Sequence, residues 1–141
     1  MKMGIRDEFD GFRSRLGAGI DFALETEVAE VLKQKVRESV YANVYAAYSP
    51  KMYLRRQDDG GLSDTENYLV SLSGEHTLEL LNISSDDGNG RHITDVVESG
   101  VGYDFWDGAF ARPFMEEALQ AGLADGSLEG ALMRGLRAQG F

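Results

Sequence analysis

The sequence predicts an α+β fold on three observations: a long apolar stripe at helical spacing near the N-terminus, a switch to alternation between Tyr68 and Ile83, and a return to helical spacing after Pro113. The expected architecture is a long N-terminal helix and C-terminal helices packed on a small, mainly antiparallel sheet. At 141 residues the chain is expected to form a single domain, 1–141, around one continuous core.

Phe9, Phe12 and Leu16 recur at helical spacing behind Asp7, which predicts a short helix over 7–16, stopped by Gly17 and Gly19. Asp21 is then a suitable N-cap for a second helix over 21–48. Its stripe is Leu24, Val28, Val31, Leu32, Val36, Val40, Val44 and Tyr48. Glu25, Glu27 and Glu30 near its start and Lys33, Lys35 and Arg37 nearer its end follow the order that suits the helix dipole. Pro50 disfavours helical geometry at Ser49, so the helix ends near Tyr48, after about 40 Å.

Beyond the proline, Met52 to Arg56 reads as a short strand and Asp58 to Gly61 as a turn or exposed loop. Tyr68, Val70 and Leu72 alternate with Leu69, Ser71 and Ser73; Gly74 and Glu75 close a hairpin whose returning strand is Thr77 to Ile83. Residues 84–91 have nothing to bury and are expected to be a mobile loop with rapidly exchanging amides. A short helix over 93–99 stops at Gly100. Arg112-Pro113-Phe114 opens another helix, and Leu128, Leu132 and Leu136 form a further stripe after a break at Asp125-Gly126.

Glycine, at 17 residues, exceeds the usual share of about 7% and predicts many turns and broken elements. Cysteine is absent, which removes disulfides, thiolate metal sites and a thiol nucleophile. The first six residues lack the apolar run of a signal peptide, and no stretch approaches the roughly 20 apolar residues of a membrane span, so a cytoplasmic location without membrane association is expected. Net charge is −10: residues 1–20 carry +1, 21–75 carry −4, 76–110 carry −6 and 111–141 carry −1. With neither a basic stripe nor a basic tail, sequence-specific nucleic-acid binding is not expected.

The residue chemistry points away from catalysis. The two histidines, His76 and His92, are placed on a predicted strand and beside a predicted loop, without the partners a metal or nucleophile site needs. Asp86-Asp87-Gly88-Asn89-Gly90 lacks the alternating ligand spacing and distal Glu of a calcium loop. Gly17-Ala18-Gly19 and Gly88-Asn89-Gly90 do not complete a dinucleotide signature. Glu116-Glu117 and Asp58-Asp59 read as solvated faces, because adjacent side chains on a helix diverge. No catalytic residue, cofactor or metal is expected.

Two features go beyond a plain domain. Tyr41, Tyr45 and Tyr48 lie one turn apart and form either a core edge or an interface. Tyr103, Phe105, Trp106, Phe110 and Phe114, interspersed with glycines, form either satellite core or a docking arm.

The order of elements, with Val40-Tyr41-Ala42-Asn43-Val44-Tyr45, Tyr48-Ser49-Pro50-Lys51-Met52-Tyr53-Leu54-Arg55-Arg56, Gly60-Gly61-Leu62-Ser63-Asp64, Leu78-Glu79-Leu80-Leu81-Asn82-Ile83, Val97-Glu98-Ser99-Gly100, Arg112-Pro113-Phe114 and the closing Leu132 to Phe141, resembles the neck or tail-completion family of minor tail components in long-tailed bacteriophages. The likeness covers most of residues 20–141; many relatives are basic or near neutral, while this chain is acidic. The resemblance implies a non-enzymatic virion protein that forms a closed ring, six-fold or twelve-fold, between head-closure and tail-terminator or tail-tube proteins. On that basis Tyr41, Tyr45, Tyr48, Arg55, Arg56, Tyr103, Trp106, Phe110, Arg112 and Phe114 are candidate interface residues. Asp86, Asp87, Asp95, Glu98, Asp104 and Asp107 are candidates for lining the DNA channel. The competing expectation is a small acidic binding or regulatory module acting on a host protein.

Overall fold

The computed structural model describes residues 4–46, 57, 60–84, 97–98 and 113–141. Its spine is one helical rod from Ile5 to Tyr45. Helix α1 (Ile5–Ala23) passes through a π-wound stretch (Leu24–Val28) into α2 (Ala29–Ser39), which ends in a second π-wound stretch (Val40–Tyr45). Leu24, Ala29 and Val40, at the junctions, all hold right-handed helical angles, so the rod has no hinge there. Its 41 residues span about 60 Å.

Two separate helices divided at Gly17 and Gly19 were the expectation, and the structure corrects it. Asp21 is no N-cap but lies inside α1; the helix starts at Gly4, whose N–H donates to the Asp7 carboxylate at 3.3 Å. A glycine inside a helix costs about 1 kcal/mol relative to alanine. Here the loss coincides with close contacts from distant chain. A Cβ on Gly19 would lie 2.8 Å from the Phe141 ring, and one on Gly17 would lie 3.1 Å from the His76 ring.

The π-winding has a cause in the apolar spacing. Leu24, Val28, Leu32, Val36, Val40 and Val44 recur every four residues, and in a helix of about 3.6 residues per turn such a stripe drifts steadily around the axis. Turns closed by i→i+5 bonds wind more slowly and oppose the drift. Val28, Val36, Val40 and Val44 thereby remain buried along one side.

Helices α3 (Phe114–Ala124) and α4 (Ser127–Ala138) retrace the spine in the opposite direction. The Ser39 hydroxyl donates to the Phe114 carbonyl at 2.8 Å, Arg134 lies 3.7 Å from Glu27, the Gln139 amide donates to the Gly19 carbonyl at 2.9 Å, and Phe141 meets Phe12 edge-on. The break between α3 and α4 falls at Gly126, whose φ of +74° lies in the left-handed region. Glycines are therefore used inside helices as well as at turns. At Gly135 a Cβ would stand 2.5 Å from the Ala23 Cβ, which sets how closely α4 approaches α1.

The sheet is a two-stranded antiparallel hairpin, β1 (Tyr68–Ser73) and β2 (Thr77–Asn82), in a register running from Tyr68↔Asn82 to Ser73↔Thr77. The α+β expectation, with long N-terminal helix, C-terminal helices and antiparallel strands through 68–83, is what the structure has. His76 departs from it: it belongs to the turn rather than to a strand, at φ +56°, and its Nδ1 lies 2.9 Å from the Asp21 carboxylate. The hairpin tip is thus fixed to α1. At its base the chain preceding β1 is also buried; of the turn or exposed loop expected from Asp58 to Gly61, the described residues show a turn at Gly60 and a buried Gly61. Gly61, Leu62 and Ser63 are enclosed, the Tyr68 hydroxyl donates to the Leu62 carbonyl at 2.6 Å, and burial pushes the tyrosine's pKa upward.

One buried cluster joins Val36, Val40 and Val44 to Leu62, Tyr68, Val97, Phe114 and Ala118; a second joins Val28 to Leu128 and Ala131. Val97 and Glu98 are helical, within the helix expected over 93–99. The strand expected at Met52 to Arg56 lies outside the described residues. So does the loop expected over 84–91, except Ser84, which is buried and accepts from the Asn67 amide at 3.2 Å.

Candidate interaction surfaces

The first eleven residues of α1, Ile5 to Arg15, are all exposed. Ile5, Phe9 and Phe12 share one face, at 87%, 61% and 45% exposure. Helical geometry puts Arg6 and Arg13 on one flank of this stripe and Arg15 with Glu8 on the other, while Asp7 and Asp10 fall away from it. Below the stripe the spine is clasped by Phe141 at Gly19 and by the hairpin tip at Gly17 and Asp21. The segment is an apolar arm carried on a rigid helix.

A second apolar surface lies on the outward face of the hairpin. Alternation turns Tyr68, Leu80 and Asn82 inward and leaves Leu69, Leu81 and Ile83 exposed, with Leu69 directly opposite Leu81. Residues 60–84 contain Asp64, Glu66, Glu75 and Glu79 and no Lys or Arg. Glu79 shares the outward face and accepts from the Ser73 hydroxyl at 2.8 Å.

The candidate residues from sequence are distributed unevenly. Tyr41 is exposed, Tyr45 packs against the core, and their rings meet edge-on at 5.2 Å with the Arg37 guanidinium 5.9 Å above Tyr41. Phe114, read from sequence as either satellite core or docking arm and included among the candidate interface residues, is wholly buried in the core with Val36 and Val40, which favours the core alternative. Tyr48, Arg55, Arg56, Tyr103, Trp106, Phe110 and Arg112 lie outside the described residues, as do Asp86, Asp87, Asp95, Asp104 and Asp107. Glu98 is half-buried, and its carboxylate accepts the Met115 N–H in the first turn of α3, a structural task whatever it faces. Ile5, Phe9, Phe12, Leu69, Leu81 and Ile83 were not among the interface candidates read from sequence, since periodicity reveals an apolar face but not whether anything covers it.

A shallow groove of about 300 Å³ runs between α2 and α3, lined by Lys35, Glu38, Ser39 and Glu117 among others. Its cation is engaged: Lys35 hydrogen-bonds Asp125 at 2.5 Å. That bond holds the lysine above its ordinary pKa and the Asp125 carboxyl well below the usual carboxylate range, with Ser127 also donating to Asp125. Among the described residues no group of three His, Asp or Glu side chains is placed to hold a metal ion.

The charge network sets a testable pH dependence. Asp125 has a depressed folded-state pKa, so its contribution to stability is present above the unfolded value of about 4 and is lost as pH falls below it. Glu98 is the reverse case. Burial raises its pKa, so its ionisation opposes folding at neutral pH, and that cost disappears as the solution is acidified toward the ordinary glutamate range. Thermal melts from pH 7 to pH 3 should show Asp125→Asn least stable relative to wild type at pH 7 and converging with it at the acid end. Glu98→Gln, which keeps an acceptor for Met115, should be at least as stable as wild type at pH 7 and lose any advantage on acidification.

A helical spine is retraced by a C-terminal helix pair, with a hairpin clasped to it, and two apolar faces stand exposed among the described residues. The YomN family model matches residues 10–138. The chain is 31% identical over 121 residues to the "SPbeta prophage-derived uncharacterized protein YomN" of Bacillus subtilis strain 168, across 82% of this chain and 81% of the relative. The chain belongs to the YomN family, which has a prophage-encoded member. No solved structure matches it.

Proposed function

We propose that this chain is a non-enzymatic structural component of a phage head-tail junction, where copies form a ring in the neck or at the top of the tail through which DNA passes. The observation that carries this reading is the pair of apolar faces, on the arm and on the outer sheet, left uncovered by the chain's own core. Exposed apolar surface of this kind marks an interaction site. The prophage origin of the YomN relative supports a phage-related role, and the α+β fold implied by the resemblance to neck and tail-completion proteins is consistent with the described long helix, hairpin and C-terminal helices.

In such a ring the partners are other copies of the chain and the head-closure and tail-terminator or tail-tube proteins on either side. Asp86, Asp87, Asp95, Asp104 and Asp107 remain the proposed lining of the bore, where carboxylates repel phosphate and keep the genome from adhering. Mass spectrometry of purified virions should find the chain in particles, and a phage deleted for it should accumulate separate heads and tails. A chain absent from virions, whose deletion leaves joined particles, would instead be an acidic module acting on a host protein. Replacing Asp86, Asp87 and Asp104 with Lys should slow DNA ejection while particles still assemble.

A further inference from the structure

We infer that the apolar arm of one copy docks on the outer face of the β-hairpin of the next, so that a single repeated contact covers both exposed apolar surfaces. The inference deepens the ring reading and rests on it for closure of the assembly.

Geometry excludes docking within one chain. The arm continues α1 as an unbroken helix beyond the level where the hairpin tip is held, with His76 against Gly17 and Asp21. To bring Phe9 onto Leu69 or Leu81 of the same chain, the helix would have to fold back on itself. The hairpin of a second copy meets no such obstacle.

Charge selects this occupant. Residues 1–20 are the only one of the four charge segments with a net positive balance, in a chain of −10 overall. Arg6, Arg13 and Arg15 flank the apolar stripe, whereas residues 60–84 carry four carboxylates and no cation. Docking sets arginines beside Glu79 and Glu75 while Ile5, Phe9 and Phe12 lie on Leu69, Leu81 and Ile83. Pairing arm with arm would leave the sheet's leucines wet and bring like-charged flanks together. A helix stripe meeting a different surface on the next copy is a heterologous contact, and repetition of such a contact builds rings or filaments.

The absence of cysteine allows a direct test. Full-length single-cysteine variants at Ile5, Phe9 or Phe12 are mixed with variants at Leu69, Leu81 or Ile83, at high concentration and low salt, under mild oxidation. Disulfide-linked dimers joining an arm cysteine to a sheet cysteine should form at least tenfold faster than in either variant alone, and high salt should slow them. Phe9→Glu, introduced into the arm variants with cysteine at Ile5 or Phe12, should remove that advantage; because Phe9 is exposed, the melting temperature should stay near the wild-type value. Equal or faster linkage of arm to arm, or no preferential linkage at any arm-sheet pairing, overturns the inference. The failures are separable: a chain present in virions with no arm-sheet linkage keeps the neck reading and loses this contact, and a linked chain absent from virions does the opposite.

Discussion

Phe114→Ala should be the most destabilising single substitution among those considered, lowering stability by about 3–5 kcal/mol, or roughly 10–15 °C in melting temperature for a domain of this size. Phe114 has no exposed surface and sits where three parts of the chain meet: Val36 and Val40 on the spine, Leu62 and Tyr68 at the hairpin base, and Val97. Truncation leaves a cavity that the rigid spine cannot close, and cavity and transfer terms then add. The Ser39 hydroxyl bond to the Phe114 carbonyl is a backbone contact and survives the substitution. Phe9→Ala is the control, since an exposed ring of the same type should change stability by about 0.5 kcal/mol or less. Denaturant melts of both variants decide the matter. Near-wild-type stability for Phe114→Ala, together with loss of assembly, would return Phe114 to a docking role.

The parts of this fold legible in the sequence are those fixed by local chemistry. Pro113 and the Asp125-Gly126 break bound α3, and the spacing of Leu128, Leu132 and Leu136 marks α4, because helix starts, stops and faces are written in neighbouring residues. The hairpin was readable from the alternation of Tyr68, Val70 and Leu72 and from Gly74. The unbroken spine was not, since Gly17 and Gly19 look like helix stops until His76 and Phe141 are seen lying on them, and those partners are 59 and 122 residues away. The π-winding left a trace that could have been followed, the spacing of four repeated from Leu24 to Val44. Among the candidate surfaces, Tyr41 was legible because an aromatic stripe on a helix is local, while the arm was hidden in plain view. Phe9, Phe12 and Leu16 predicted a helix and an apolar face, but only the tertiary structure shows that Phe141, beyond α4, packs against Phe12 and leaves Phe9 and Ile5 exposed. The choice between core and docking arm at Phe114 was open for the same reason, since its burial depends on Val36 and Val40, more than seventy residues earlier.

Gly135→Val should be nearly as damaging as the loss of Phe114, by the opposite mechanism. Even the first carbon of a side chain at 135 would stand 2.5 Å from the Ala23 Cβ and 2.8 Å from the Ala23 Cα, and the second of these is backbone that cannot rotate away. For Gly135→Ala, overpacking costs about 1–3 kcal/mol, and the better helix propensity of alanine returns about 1 kcal/mol, so a net loss of roughly 0–2 kcal/mol follows. Valine adds two methyl groups to the same gap and loses part of the propensity gain, so α4 must move off α1, taking with it the Gln139 bond to the Gly19 carbonyl and the Phe141 contact with Phe12. Ala23→Gly distinguishes this clash from any other cause. Alone it should cost about 1 kcal/mol through helix propensity. Combined with Gly135→Ala it removes the 2.5 Å contact and leaves the 2.8 Å one, so the double variant should be more stable than the sum of the single losses by about 0.5–2 kcal/mol. Strict additivity in that cycle would mean that α4 does not approach α1 at Ala23.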